Sequence, residues 1–594
     1  MLNNTPKWTA TLGAMLSLAL RTFAETANAS SALGYDPSSP TLEVPFPYFF
    51  PNQDDPANLF PMPSCQGRTL EEATIDELQE AMTSGALTAV DIVSCYLERI
   101  QQTDEYLESI LELNPDYLHI AAALDDERAA GKVRGPLHGI PYLIKDNICS
   151  KDKMECTAGS WMLLGSIVPR DAYIVARLRE AGAVLFGKAT LSEWADMRSN
   201  SYSEGYSPRG GQARSPYNLT LNPGGSSSGS GAAVAANLCS FSLGTETDGS
   251  VISPAQRNAL VGIKPTVGLT SRAGVIPESE HQDTVGVLAR TVRDAAYALD
   301  AIYGIDSNDN YTLAQEGNTP EGGYAQFLAH KDALKGATFG LPWDSFWVYA
   351  SEEMQGTLLD LIELIQDAGA TIINGTELPN YGTIVSPDGW DWDYGNTRGY
   401  PNESEYTYVK VDFYNNVKKY LSELENTNIR SLEDIVQYNI DNVGSEGGLP
   451  EVHPAFESGQ DGFLASLETK GIQNETYFQA LAFCQKATRE DGIDAALDYN
   501  GTQLNGLLVP PDIGQTYQIA AQAGYPVVTL PAGIHSTTGM PYGLALMNTA
   551  WSEGSLIKYA SAIEDLQISS GTPHQRTLPQ WYEYRTKNIP VLNE

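Results

Sequence analysis

Positive charge is scarce in this sequence. Its 594 residues carry 36 Lys and Arg against 74 Asp and Glu, a formal net charge of −38 at pH 7. A field of that sign repels nucleic-acid phosphates and anionic lipid surfaces, so neither is an expected partner. Cysteine is sparse as well. Cys65, Cys95, Cys149, Cys156, Cys239 and Cys484 are too few to scaffold a chain of this length. Cys149 and Cys156 are near enough to pair in an oxidising compartment, with free buried thiols the equal alternative. The seven histidines stand apart from one another, and no His, Cys and Glu cluster has ligand spacing. No metal and no other cofactor is therefore expected. Also missing are a GxxxxGK[ST] phosphate loop and a cysteine in a nucleophile context. There is no internal repeat and no long low-complexity linker at which to divide the chain.

What is present is an ordinary apolar content of 42%, enough for a large core, and one large domain is expected rather than several small ones. The N-terminus reads as a secretory signal. Lys7 is followed by an apolar stretch from Trp8 to Leu20, Arg21 ends it, and Ala27-Asn28-Ala29 forms an A-x-A cleavage site. The stretch is too short for a membrane span, and no other segment could cross a bilayer. Residues 1–29 are thus expected to be a signal peptide and 30–594 the working domain. Sequons at Asn218, Asn310, Asn374, Asn402, Asn474 and Asn500 agree with a secreted glycoprotein.

Thr74 and Glu77 form a capping box before a helix carrying Leu78 and Met82. Thr88 caps a second, with Ile92, Val93, Tyr96, Leu97 and Ile100 at helical spacing. Further on, helices alternate with short apolar runs. Helices are expected at 174–180, 232–236 and 352–368, the last closed by Gly369. Strands are expected at 184–186, 241–245, 371–373, 507–509, 527–530 and 544–547. This alternation predicts an α/β fold, a single large domain with a mixed central β-sheet covered by helices on both faces. Residues 379–476 are rich in Trp and Tyr and helical after Glu403. They are expected to form an elaboration on the substrate side. Trp390, Trp392 and Tyr394 in it suit either an apolar acyl pocket or core packing.

Three segments carry chemistry. Gly135-Pro-Leu-His-Gly-Ile-Pro-Tyr-Leu-Ile-Lys145-Asp146-Asn147 places a lysine at the end of an apolar run. Burial there disfavours its charge and suits it to accept a proton. Asn222-Pro-Gly-Gly-Ser226-Ser227-Ser-Gly-Ser-Gly231 runs straight into an alanine helix, which a flexible linker does not do. Leu243-Gly-Thr-Glu-Thr247-Asp248-Gly249-Ser250 reads as a strand ending in a tight turn. Its successive N–H groups can converge on an anion while its serine attacks a carbonyl. Taken singly, the first is also a surface lysine and the third a plain turn.

Together, and with Ser250 24 residues after Ser226 and Val261-Gly-Ile-Lys-Pro-Thr-Val-Gly-Leu269 beyond, the three resemble the core of the amidase signature family. The resemblance runs from about Arg68 to the C-terminus, through Gln282-Asp-Thr, Ile429-Arg-Ser-Leu and Tyr525-Pro-Val-Val. It implies a Ser-cisSer-Lys triad acting on a small-molecule amide. Ser250 would attack, Ser226 relay the proton and Lys145 act as terminal base. The N–H groups of Thr247, Asp248, Gly249 and Ser250 would form the oxyanion hole, and Ser227 would hydrogen-bond the lysine. The family often has Asp-Thr-Gly-Gly-Ser with an Arg two residues later. Here the turn is Glu246-Thr-Asp248-Gly-Ser250, and Ile252 stands for that Arg. These features are similar to the peptide amidase subset. Asp248 is expected to place charge at the oxyanion turn unless its side chain is bonded elsewhere. A pseudoenzyme or binding protein on the same fold is the rival reading, against which Lys145, Ser226 and Ser250 all count. An acyltransferase would share the acyl-enzyme.

Overall fold

The computed structural model describes residues 51–593, apart from 53–54, 56–57 and 572–574. The expected leader at 1–29 lies outside the described residues. The domain is organised on an eleven-stranded sheet. In chain order its strands are β1 (Ile110–Leu113), β2 (Pro141–Lys145), β3 (Val184–Ala189), β4 (Phe241–Glu246), β5 (Val261–Lys264) and β6 (Thr284–Ala289). They continue as β7 (Thr338–Leu341), β8 (Thr371–Asn374), β9 (Leu507–Val509), β10 (Val527–Ile534) and β11 (Pro541–Met547). The spatial order is β1-β3-β2-β4-β6-β5-β10-β11-β9-β7-β8. Strand β2 lies parallel to both β3 and β4, whereas β4, β6, β5, β10 and β11 run antiparallel in succession, which makes the sheet mixed.

Every residue of β2, β3, β4, β5, β6 and β11 is buried. Side chains alternate between the faces of a strand, so burial of all of them means that both faces are covered. The cover is helical. Capping boxes open α1 (Ile75–Thr83) at Thr74 and Glu77 and α2 (Ala89–Leu107) at Thr88 and Asp91. Ser351 caps the helix Glu352–Asp367, which buries Leu358, Leu361, Ile362 and Ile365 and is followed by edge strand β8.

The helices Glu405–Glu423, Leu432–Asp441, Asp461–Thr469 and Glu475–Thr488 enclose a second apolar cluster. There Tyr408, Phe413, Leu421 and Phe463 pack against Leu163, Leu191, Trp194 and Met197, with Phe413 and Phe463 stacked at 5.5 Å. The helical stretch from Glu405 to Thr488 therefore sits on the loops that follow β2 and β3. Four cysteines are paired, Cys65 with Cys95 and Cys149 with Cys156, while Cys239 and Cys484 are buried thiols. Among the described residues no helix is long and apolar enough to cross a membrane.

Candidate active site

Parallel pairing of β2 with β4 decides where the chemistry collects. Ile144 lies opposite Leu243, so both strands deliver their C-terminal ends to the same edge of the sheet. Lys145 is the last residue of β2, and β4 runs through Thr245 and Glu246 into the Ser250 turn. The glycine–serine loop joins them. It feeds the helix Ser228–Ala235, four residues earlier than the expected start at 232, and Ser230 Oγ ties that helix to the Leu243 carbonyl at 3.1 Å. The loop is fixed by backbone bonds from Ser192 N to Ser226 O (3.1 Å) and from Ser227 N to Ser250 O (3.3 Å). The Gly225–Ser226 peptide bond is cis.

The three expected side chains form one hydrogen-bonded line. Lys145 Nζ lies 2.7 Å from Ser226 Oγ, and Ser226 Oγ lies 2.9 Å from Ser250 Oγ. Lys145 is fully buried. Burial lowers its pKa to about 8, with the carboxyls of Glu278, Asp196, Glu204 and Glu246 opposing that shift. Its remaining hydrogens reach Thr245 Oγ1 at 2.9 Å and Thr245 O at 3.2 Å. Asn147 Nδ2 donates to the same Thr245 hydroxyl at 2.9 Å. Ser227 does not touch the lysine. Its hydroxyl donates to Thr245 O at 3.2 Å, so it acts on Lys145 through a shared acceptor. Asp146 faces away and anchors the following loop through Thr157 Oγ1 (2.6 Å) and the N–H groups of Thr157 and Gly159 (3.1 Å each).

At the turn, Gly249 adopts φ +78°, a left-handed conformation that a side chain disfavours. The carboxylate of Glu246 accepts from Val251 N (2.7 Å) and Ile252 N (3.0 Å) and also bonds the Gly249 N–H. Glu246 thus staples the turn from within. The N–H groups of Asp248 and Ser250 meet no protein acceptor among the described residues. Asp248 is bonded elsewhere, as the expectation required. Its Oδ2 accepts from Trp390 Nε1.

A cavity of about 390 Å³ is lined by Asn200, Tyr202, Glu204, Asn222, Trp390 and Glu457, among others, and not by Lys145, Ser226 or Ser250. Glu204 ties it to the chemistry. Its Oε1 accepts from Ser192 Oγ at 2.6 Å, and a Cβ placed on Gly225 would come within 1.8 Å of that oxygen. The three aromatics divide. Trp390 lines the cavity, Trp392 stacks on Tyr406 at 4.7 Å, and Tyr394 lies under the Arg398 guanidinium. Asn147, Thr245 and Glu246 stand within the motifs and Glu204 outside them, but none carries a sequence signal for its role. Their roles come from contact alone. Among the described residues Glu280, His281 and Asp412 come within mutual ligand distance. The two imidazole nitrogens already meet Tyr311 Oη (2.6 Å) and Tyr477 Oη (3.0 Å).

The mixed sheet is that of solved peptide amidase structures. A family model described as Amidase matches residues 91–441. A putative amidase of Schizosaccharomyces pombe, C869.01, is 59% identical over 551 residues, covering 92% of each chain. The probable amidase At4g34880 of Arabidopsis thaliana is 40% identical over 511 residues, covering 85% of this chain and 92% of that one. Among solved structures, native peptide amidase from Stenotrophomonas maltophilia superposes with a TM-score of 0.74 at 38% identity, covering 85% of this chain and 99% of its own. The chain belongs to the amidase family, whose members hydrolyse amide C–N bonds.

Proposed function

We propose that this protein is a serine amidase that removes the amine or ammonia from a carboxamide, with Ser250 as nucleophile. The observation that carries the reading is the unbroken line from Lys145 Nζ through Ser226 Oγ to Ser250 Oγ. Neutral Lys145 accepts the Ser226 proton as Ser226 takes that of Ser250. Ser250 Oγ then bonds the amide carbon. The tetrahedral oxyanion is received by the N–H groups of Asp248 and Ser250, which meet no protein acceptor among the described residues, that of Gly249 being held by Glu246. On collapse the C–N bond breaks. The proton returns from Lys145 through Ser226 to the leaving nitrogen, and water releases the acyl group by the same route.

The 38% identity to a peptide amidase supports a terminal carboxamide as the substrate. The two disulfides suit an oxidising compartment and support export of the mature chain.

The reading is tested by labelling the purified protein with a fluorophosphonate and mapping the modified peptide, with Ser250→Ala in parallel. Ammonia release from a blocked dipeptide amide is followed in the same preparations. Label on Ser250, and activity lost together with it in the variant, is the expected result. A folded wild type that takes no label and hydrolyses no amide overturns it.

A further inference from the structure

Asp248 is a carboxyl group two residues from the nucleophile, on the turn whose N–H groups face the reacting carbonyl. Its surroundings contain an arrangement that the reaction scheme leaves unused. Asp248 Oδ2 accepts from Trp390 Nε1, whereas Oδ1 is buried and meets no N–H or O–H donor among the described residues. Its hydrogen-bonding neighbour is the carboxyl of Glu405, at the start of the helix Glu405–Glu423. Glu405 is buried, and both its oxygens are occupied by amides. Oε1 accepts from Gln282 Nε2 at 2.8 Å, and Oε2 from Gln518 Nε2 (3.0 Å) and Gln522 Nε2 (2.9 Å).

Two carboxyls in contact away from water cannot both be ionised, so the pair holds one proton. Three amide donors favour the charged form of the group they bind. The negative charge therefore belongs on Glu405 and the proton on Asp248, where it satisfies the otherwise orphaned contact. We propose that Asp248 is a neutral acid donating to Glu405, and that this pair positions the Ser250 turn while keeping negative charge off it. The clamp has a second point. Gln282 Nε2 also donates to the Thr247 carbonyl at 3.0 Å, and the Tyr408 hydroxyl donates to Gln282 Oε1. The turn is thus gripped at Thr247 through its backbone and at Asp248 through its side chain.

The other ionisable groups around Asp248 are compatible with this state. Glu246 on its own segment is occupied by the turn's N–H groups. Lys264 on β5, Tyr517 on the helix Gly514–Ala523 and Tyr408 face it at longer range. Burial, and next the charge of Glu405, push the Asp248 carboxyl well above the usual carboxylate range. On Glu405 burial is opposed by the glutamine amides.

The role rests on Ser250 being the nucleophile, but the proton itself is open to a test independent of turnover. Asn at position 248 can donate to Glu405 and accept from Trp390, so Asp248→Asn reproduces the neutral acid. The expected result is that Asp248→Asn lacks the alkaline fall in kcat that ionisation of the pair imposes on wild type. In the infrared spectrum the carbonyl band of a buried protonated carboxyl, present in wild type, is absent from the variant. A folded Asp248→Asn protein that keeps the alkaline fall of wild type, or a spectrum without that band in wild type, overturns the proposal. Glu405→Gln covers the case in which Asp248→Asn does not fold. It removes the charge that holds the proton on Asp248, and the band is expected to weaken or shift. An unchanged band refutes the pairing. The infrared arm stands even if no amide is found to be hydrolysed.

Discussion

Removal of the middle hydroxyl, Ser226→Ala, separates the base from the nucleophile without touching either. The two bonds through Ser226 measure 2.7 and 2.9 Å, so Lys145 Nζ and Ser250 Oγ are left up to about 5.6 Å apart. That is well beyond the 2.6–3.2 Å reach of proton transfer. The general-base contribution, typically 10²–10⁴-fold, is then lost while the oxyanion donors remain. A fall in kcat of about 10³-fold is expected, equivalent to about 4 kcal/mol of barrier. KM should change little, because Ser226 does not shape the cavity walls. Lys145 keeps its two contacts with Thr245, so the fold should survive. The assay is initial-rate ammonia release across pH, with circular dichroism and thermal melting to verify folding. Fluorophosphonate labelling of Ser250 should slow in proportion. A folded variant that retains more than a tenth of wild-type kcat would show that Ser226 does not relay the proton.

Lysine titration sets a second expectation. With a pKa of about 8, Lys145 is the neutral base in about one molecule in ten at pH 7 and about nine in ten at pH 9. Because the deprotonated form is the active one, kcat/KM should rise with pH through about 8. Lys145→Arg, which cannot deprotonate, should abolish that rise and cost about 10³-fold. Gly249→Ala puts a Cβ within 2.5 Å of the Tyr517 ring at a positive φ. It should lower the melting temperature, through the clash and the strained backbone, and lower kcat by about 10²-fold through displaced oxyanion donors, as read in thermal melting and steady-state kinetics. Arg576 grips Glu72 by two bonds of 2.6 and 2.9 Å and also holds the Ala235 and Ala259 carbonyls. Burial opposes ionisation of Glu72, but the Arg576 charge prevails and lowers its pKa to about 2. The folded-state value lies below the unfolded one, so this stabilisation is present above about pH 4.5 and disappears as pH falls towards 2. Arg576→Ala should cost about 2 kcal/mol at pH 7 in urea unfolding, and the gap to wild type should narrow at pH 3. The Asn218 amide is nearly buried and donates to the Thr538 carbonyl at 2.9 Å. Peptide mapping of protein secreted from a eukaryotic host should find it free of glycan, in contrast to exposed Asn310, Asn374 and Asn500.

Much of the local structure is legible in one dimension. Thr74 with Glu77 marks a helix start because a cap acts over three residues. The helix at 352–367 shows in its apolar spacing, and the strands at 241–246, 507–509 and 527–534 in short buried runs. Strands β5 and β6 pass unnoticed, since Val-Gly-Ile-Lys and Thr-Val-Gly-Val-Leu-Ala are too short to show a period. Strand order is equally hidden, being decided by pairing between distant segments.

The reactive groups follow the same division. Lys145, Ser226 and Ser250 stand in motifs whose glycines and serines dictate backbone geometry over a few bonds, so sequence alone determined which groups are available for chemistry. Their state was decided by tertiary structure. Parallel pairing of β2 with β4 brings lysine and serine to one edge, and burial lowers the lysine's pKa. Whether Asp248 threatens or serves the oxyanion turn depends on Trp390, 142 residues away, and on Glu405, itself held by Gln282 from 123 residues away. Charge interacts through space and through the local dielectric, and neither is a property of neighbours along the chain.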